Sequence, residues 1–289
     1  MSDIEKSGEF LIGGELRIRR FGYGAMRLTG PGVWGPPEDP ASAAGVLRRV
    51  IELGINLIDT ADVYGPRVNE QLIRDVLHPY PAGLVIATKG GMVRSGPATR
   101  ENPGFGMNGT PEHLRAAVDQ SLIDLGVDTI DLYQLHRVDP ATPFAETMGA
   151  LKALRDAGKI RHIGLSQVSV EEIEQARAVV EIATVQNIYN VKTRIYDAVL
   201  DYCTAHDIGF IPFWPVGAGD LASNEAIAAI ATRYDASAAQ IALAWLLQRS
   251  PVILPIAGTS SVAHLEENVA ACAISLDAGD VAALDALAA

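Results

Sequence analysis

Phe21-Gly-Tyr-Gly24-Ala-Met26 runs directly into Arg-Leu-Thr-Gly-Pro-Gly-Val-Trp34-Gly-Pro-Pro37. Its first half reads as a short strand. The second half cannot be a helix, because glycines and prolines crowd the segment from Leu28 to Pro40. An open sheet that binds a dinucleotide carries G-x-G-x-x-G between its first strand and the following helix, with an acid about 20 residues on. Here only G-x-G is present, and a loop follows it. Working outward, strand-like stretches near 20–24, 55–59, 84–88, 130–135, 160–165, 183–187, 208–213 and 252–256 alternate with helical patterns. The latter lie near 41–53, 68–78, 111–125, 144–157, 170–181, 196–206, 237–248 and 261–271. Eight repeats of this kind predict parallel βαβ units. With the open sheet set aside, the predicted fold is α/β, a (β/α)8 TIM barrel that uses residues 1–289 as one domain. Phe10-Leu-Ile and Leu16-Arg-Ile18 flank Gly13-Gly14, which predicts a hairpin ahead of the barrel. Thr110-Pro111-Glu112 and Ser169, with Glu171 and Glu172 behind it, read as helix starts.

The composition narrows the partners. Among 289 residues, 23 are Lys or Arg and 35 are Asp or Glu, a formal charge of −12. Such a surface repels phosphate backbones and anionic lipid, so neither nucleic acid nor membrane is an expected partner. No apolar run of 18 residues occurs, and the N-terminal stretch MSDIEKSGEF has no apolar core of a leader. Cys203 and Cys272 are too few for a disulfide framework and read as buried thiols of a reducing compartment. The six histidines show no ligand spacing of the H-E-x-x-H kind, and no metal is expected. The expectation is a cytoplasmic monomer or weak homo-oligomer acting on a small molecule.

Barrel chemistry sits at the C-terminal ends of the strands. These ends carry Asp59 and Tyr64 (Asn56-Leu-Ile-Asp59-Thr-Ala-Asp-Val-Tyr64-Gly65), Lys89 (Val85-Ile-Ala-Thr-Lys89) and His136 (Asp131-Leu-Tyr-Gln-Leu-His136). Singly, the lysine reads as solvated, the histidine as structural and the tyrosine as packing. Together they make a proton donor. A free phenol has a pKa near 10; an adjacent ammonium lowers it, and an aspartate holds that ammonium charged. An imidazole beside the phenol can orient a carbonyl oxygen. The set lacks a nucleophile with its base, and no side chain supplies hydride, so a cofactor is required.

With these contexts in this order, the sequence resembles the aldo-keto reductase family along essentially its whole length, from the opening hairpin to Gly258-Thr-Ser-Ser…His264-Leu-Glu-Glu-Asn268. The resemblance implies a barrel plugged at its base by the hairpin, with a nicotinamide cofactor across the mouth. It implies Tyr64 as general acid, Lys89 and Asp59 as its tuners, and His136 as the group that orients substrate. Ser166, Gln167 and Gln186 correspond to positions that hold the carboxamide, with Gln167 standing where the family usually has Asn. Phe213 takes the place of the aromatic that stacks on the nicotinamide; by itself it also reads as a core aromatic. Gly217, Gly219 and Leu221 resemble the pyrophosphate segment, although a plain turn would explain the glycine pair. Gly258, Ser260, Ser261, His264, Glu267 and Asn268 align with the adenosine-phosphate site. Family members that prefer NADPH often carry Lys and Arg at the positions of Ser260 and His264. NADPH is the expected cofactor, with NADH as the contender.

Trp34, Met92, Phe105, Met107, Arg137 and Trp214 are the expected substrate walls around a small-molecule carbonyl. Arg137 is a candidate for an anionic or phenolic substrate group and equally for a surface salt bridge. The GPGVWGPP loop and the short segment after Phe213 resemble a bacterial subgroup that includes pyridoxal reductases, which implies reduction of pyridoxal to pyridoxine or of aldehydes generally. Two other readings stand beside this one. Lys89 could be the nucleophile of a Schiff-base lyase, or the chain a non-catalytic nicotinamide-binding redox sensor.

Overall fold

The computed structural model describes residues 2–217 and 221–288. The chain opens with an antiparallel hairpin of β1 (Glu9–Ile12) and β2 (Leu16–Arg19), followed by β3 (Tyr23–Gly24), α1 (Pro40–Glu52), β4 (Leu57–Asp59), α2 (Val68–Leu77) and β5 (Val85–Gly90). A small side hairpin, β6 (Met92–Arg94) with β7 (Phe105–Met107), precedes α3 (Pro111–Leu125). Next come β8 (Ile130–Leu135), α4 (Phe144–Asp156), β9 (Ile160–Ser166), α5 (Val170–Arg177), β10 (Thr184–Ile188), α6 (Asp197–Ala205) and β11 (Gly209–Phe213). The remainder is helical: α7 (Glu225–Arg233), α8 (Ala238–Arg249), α9 (Val262–Ala270) and α10 (Ala278–Asp285).

Seven strands form one parallel sheet in the order β11-β10-β9-β8-β5-β4-β3. The eighth stave, predicted as a strand at 252–256, is not one. It joins the wall through isolated bridges, Gly22 with Ile256 and Phe210 with Ile253. Phe210 N donates to the Val252 carbonyl and Leu254 N to that of Phe210, both at 2.8 Å, while Gly22 N donates to the Pro255 carbonyl at 2.9 Å. Pro255 has no N–H, so this stave cannot make a regular ladder to both neighbours. The sheet is nevertheless curled shut, and the architecture is the (β/α)8 barrel.

Strand periodicity sorts the side chains into two compartments. Leu57, Val85, Ala87, Leu132, Ile211 and Leu254 point inward and pack with Ile12, Leu16 and Ile18 of the hairpin. Ile58, Ile86, Tyr133, Val185 and Phe210 point outward into the larger core beneath the helices. The hairpin therefore stoppers one end of the barrel. Its turn fits closely: a Cβ on Gly13, whose φ is +58°, would fall 2.1 Å from the His162 ring, and His162 in turn meets Glu15 at 2.8 Å. Two residues further along the same inward faces the layer turns polar, with Asp59, Lys89, Gln134 and Gln186. This step from apolar to polar along four strands positions the site.

Predicted helix starts hold at Thr110, which accepts from His113 N, and at Ser169, which forms a reciprocal cap with Glu172. Helix α5 stops at Arg177 rather than near 181, where Val179, Val180 and Ile182 follow, a β-branched run that disfavours helix. Cys203 and Cys272 are free and buried. No helix among the described residues is long and apolar enough to cross a membrane.

Candidate active site

The polar layer is wired around one carboxylate. Asp59 Oδ1 accepts from Lys89 Nζ at 2.5 Å; Oδ2 accepts from Gln186 Nε2 at 2.8 Å and from Gln134 Nε2 at 3.0 Å. Lys89 also donates to the Thr60 carbonyl at 2.9 Å and is fully buried. Tyr64 stands on the turn after β4, where its N–H meets the Ala61 carbonyl. Asn69 pins that turn: it accepts the Thr60 hydroxyl at 2.6 Å and donates to the Ala25 carbonyl at 2.9 Å. The turn brings the phenol ring to 5.2 Å from Lys89 Nζ and sets it edge-on to His136, with 6.0 Å between ring centres.

Burial decides the charge states. It pushes the Tyr64 phenol up and outweighs the opposing pull of Lys89, so the net shift is upward, not the lowering expected from the ammonium alone. Burial also works to discharge Lys89, but Asp59 and Tyr64 together overcome it and hold the ammonium above its ordinary range. His136 is driven well below its ordinary value by burial, then by the charges of Lys89 and Arg137. The site at neutral pH thus holds a protonated phenol, a lysine–aspartate ion pair and a neutral imidazole.

Asp59, Tyr64 and His136 line a cavity of about 390 Å³ at the barrel mouth. Of the positions expected to hold a cofactor, Ser166, Gln186, Phe213, Gly217, Gly258 and Asn268 share this lining. Gln167 lies outside it with left-handed φ of +56°, its N–H donating to the Gln186 carbonyl. Leu221 lies outside it too, buried in the larger core beneath the helices. Ser260 and His264 are exposed, Ser261 caps the start of α9, and Glu267 faces a separate open groove with Gln240 and Ser237. Gly219 lies outside the described residues. Of the expected substrate walls, Met92, Phe105, Arg137 and Trp214 line the cavity. Trp34 and Met107 do not: Trp34 packs its ring on the Arg94 guanidinium at 5.7 Å, and Met107 is exposed on β7.

The structure adds residues that the sequence reading passed over. Gln134 is one, and its signal was available: it lies two residues before His136, on the same strand face. Arg27 and Arg94 also reach the cavity. Behind the wall lies a set of buried groups, Asp62, Glu70 and Tyr133, each with an oxygen that has no partner among the described residues. The Tyr133 hydroxyl crosses the backbone where a Cβ on Gly90 would stand, 1.9 Å from it, so only glycine fits there. Burial pushes the Glu70 carboxyl up to about 7, against the hydrogen bond that it accepts from Thr88 at 2.6 Å.

A raised carboxyl has a definite linkage sign. Below about 4.5, its unfolded value, Glu70 is protonated in both states and its contribution is fully present. As pH rises toward 7 the unfolded chain releases the proton first, so stability falls across that window. Glu70→Gln keeps an acceptor for Thr88 and is expected to flatten this slope, by a few degrees of Tm between pH 5 and 8. Thermal unfolding at several pH values checks it, and parallel curves for the two proteins would contradict it.

Comparison with known proteins identifies the family. Residues 20–289 match the aldo/keto reductase family. The chain is 46% identical over 284 residues to an uncharacterized oxidoreductase of Schizosaccharomyces pombe, covering 98% of this chain and 90% of that protein. It is 42% identical over 288 residues to the pyridoxine 4-dehydrogenase of Escherichia coli, covering 97% and 98%. Among solved structures, an aldo-keto reductase from Klebsiella pneumoniae in complex with NADPH has a TM-score of 0.79 at 26% identity, covering 96% and 94%. Since the match runs from residue 20, just ahead of β3, to residue 289 and takes in the strands that carry Asp59, Lys89 and His136, the chain belongs to the aldo/keto reductase family.

Proposed function

We propose that this protein reduces a carbonyl to an alcohol with NADPH, and that Tyr64 is the general acid. The observation that carries the reading is the Tyr64 phenol in the cavity wall, with the buried Lys89–Asp59 pair 5.2 Å behind its ring and His136 edge-on beside it; burial keeps the phenol protonated and the imidazole neutral. The fit of a nicotinamide rests on the donor set: the flat ring of Phe213 and the polar ends of Ser166 and Gln186 line the same cavity. Hydroxyls of Ser260 and Ser261 and the His264 ring, around the start of α9, would meet the adenosine phosphate. When bound, the reduced nicotinamide supplies the hydride that no side chain can.

Tyr64 gives its proton to the carbonyl oxygen, and the Lys89 ammonium stabilises the phenolate that this leaves. Asp59, held by two glutamine amides, keeps that ammonium charged and aimed. The neutral imidazole of His136 orients the carbonyl. A lysine so charged and doubly bonded has no lone pair with which to form a Schiff base, which weighs against a lyase. Pyridoxal is the first substrate to test, given the E. coli relative's name. The test is a titration with NADPH and NADH, followed by loss of the reduced-nicotinamide absorbance with pyridoxal and a panel of aldehydes. We expect binding of NADPH and one nicotinamide oxidised per alcohol formed. Failure to bind either nucleotide would overturn the proposal. Tight binding without turnover of any carbonyl would replace the reductase with a sensor.

A further inference from the structure

The chain is strongly acidic, yet the cavity is not. Asp59 is the single acid in its lining among the described residues, and Lys89 neutralises it. Three guanidinium groups, of Arg27, Arg94 and Arg137, share the same lining. A cleft of one sign within a surface of the other focuses the field on ligands of opposite charge.

Arg137 is the informative one. It follows His136 directly, acts electrostatically on both His136 and Tyr64, and rests on the Phe213 ring at 6.0 Å. It is half-buried, burial lowers its pKa, and it has neither an ion pair nor a hydrogen-bond partner among the described residues. The surface salt bridge that would have given it a structural role is absent among those residues. Arg94 is oriented differently. Its Nη2 is spent on the Gly32 and Gly96 carbonyls at 2.8 and 2.9 Å, while its buried Nε has no acceptor. A partly desolvated guanidinium without a counter-charge is costly, and a carboxylate, phosphate or phenolate from a ligand would relieve that cost.

We propose that the carbonyl substrate carries an anionic group, received by Arg137 with Arg94 as the second donor. This rests on the reductase reading above and assigns the substrate class of the same site. The probes are 4-carboxybenzaldehyde and its uncharged methyl ester, each with the NADPH-loaded enzyme. We expect kcat/KM for the acid to exceed that for the ester by about tenfold or more, chiefly through KM, with the advantage shrinking as salt is raised. Arg137→Met should abolish the preference and Arg137→Lys should restore part of it. Arg94→Met should reduce it and provides an independent reading if the Arg137 variants fail to fold. Equal use of acid and ester by the wild type would overturn the anionic subsite and leave the reductase standing. A preference that survives Arg137→Met in folded protein would likewise remove Arg137 from the role. No turnover of either aldehyde, with none in the wider panel, would overturn both.

Discussion

Tyr64→Phe is expected to lower kcat/KM for aldehyde reduction by at least about 10³-fold, within the range that a positioned general acid contributes. The variant removes one oxygen and keeps the ring that stands edge-on to His136, so the cavity retains its shape. The loss should fall on the chemical step. Nucleotide affinity, read from fluorescence quenching, should change little, because the expected cofactor contacts come from other residues. The upward shift of the phenol fits this role: an acid must still hold its proton when the substrate arrives. Lys89 then matters most as the proton leaves, since it is the positive charge beside the forming phenolate. Turnover retained by the phenylalanine variant would remove Tyr64 as the acid.

Lys89→Met is the second large effect, and it should appear in two quantities. Removing the ammonium strands the Asp59 carboxylate in a site only 2% exposed, with two glutamine amides but no cation. Breaking a buried ion pair from one side costs about 3–5 kcal/mol, which a urea midpoint will register. Turnover should fall by about 10²-fold or more at the same time, because the phenolate loses its stabilising charge. The double variant Asp59→Asn with Lys89→Met separates the two. An amide with a neutral neighbour should recover much of the stability while turnover stays low, a coupling that a double-mutant cycle measures. If stability and turnover recover together, the pair has only a structural role.

Much of this arrangement was legible in the residues, and the exceptions have causes. Strand ends carrying Asp59, Lys89 and His136 could be read from apolar runs followed by a polar residue, and they do converge. Gln134 was hidden only because a glutamine inside a strand draws no attention, although parity with His136 places it on the same face. The acids Asp62 and Glu70 were not legible, because their burial depends on which side of the wall the α2 segment covers. Helix α10 escaped because its alanine-rich stretch carries little periodic contrast, whereas α7 does show a period, with Ile227 and Ile230 one turn apart on its buried face. The apolar content of 252–256 reads as a strand, but Pro255 interrupts its ladder and leaves only isolated bridges. Trp34 and Met107 have the chemistry of a cavity wall but not the position. Trp34 instead packs against Arg94 outside its lining, and Met107 lies exposed on the side hairpin.

The irregular eighth stave has a consequence for how the barrel breathes. A closed hoop opens at its weakest joint, and few bonds join the segment before Gly258 to Phe210 and Gly22, whereas the pairs β5–β8, β8–β9 and β10–β11 share longer ladders. Local opening is cheapest where the fewest backbone bonds must break. That joint also carries the loop leading to Ser260 and Ser261. A ligand clasped by this loop and by the opposite strand ends would act as a rivet, converting binding energy into resistance of the whole hoop to opening.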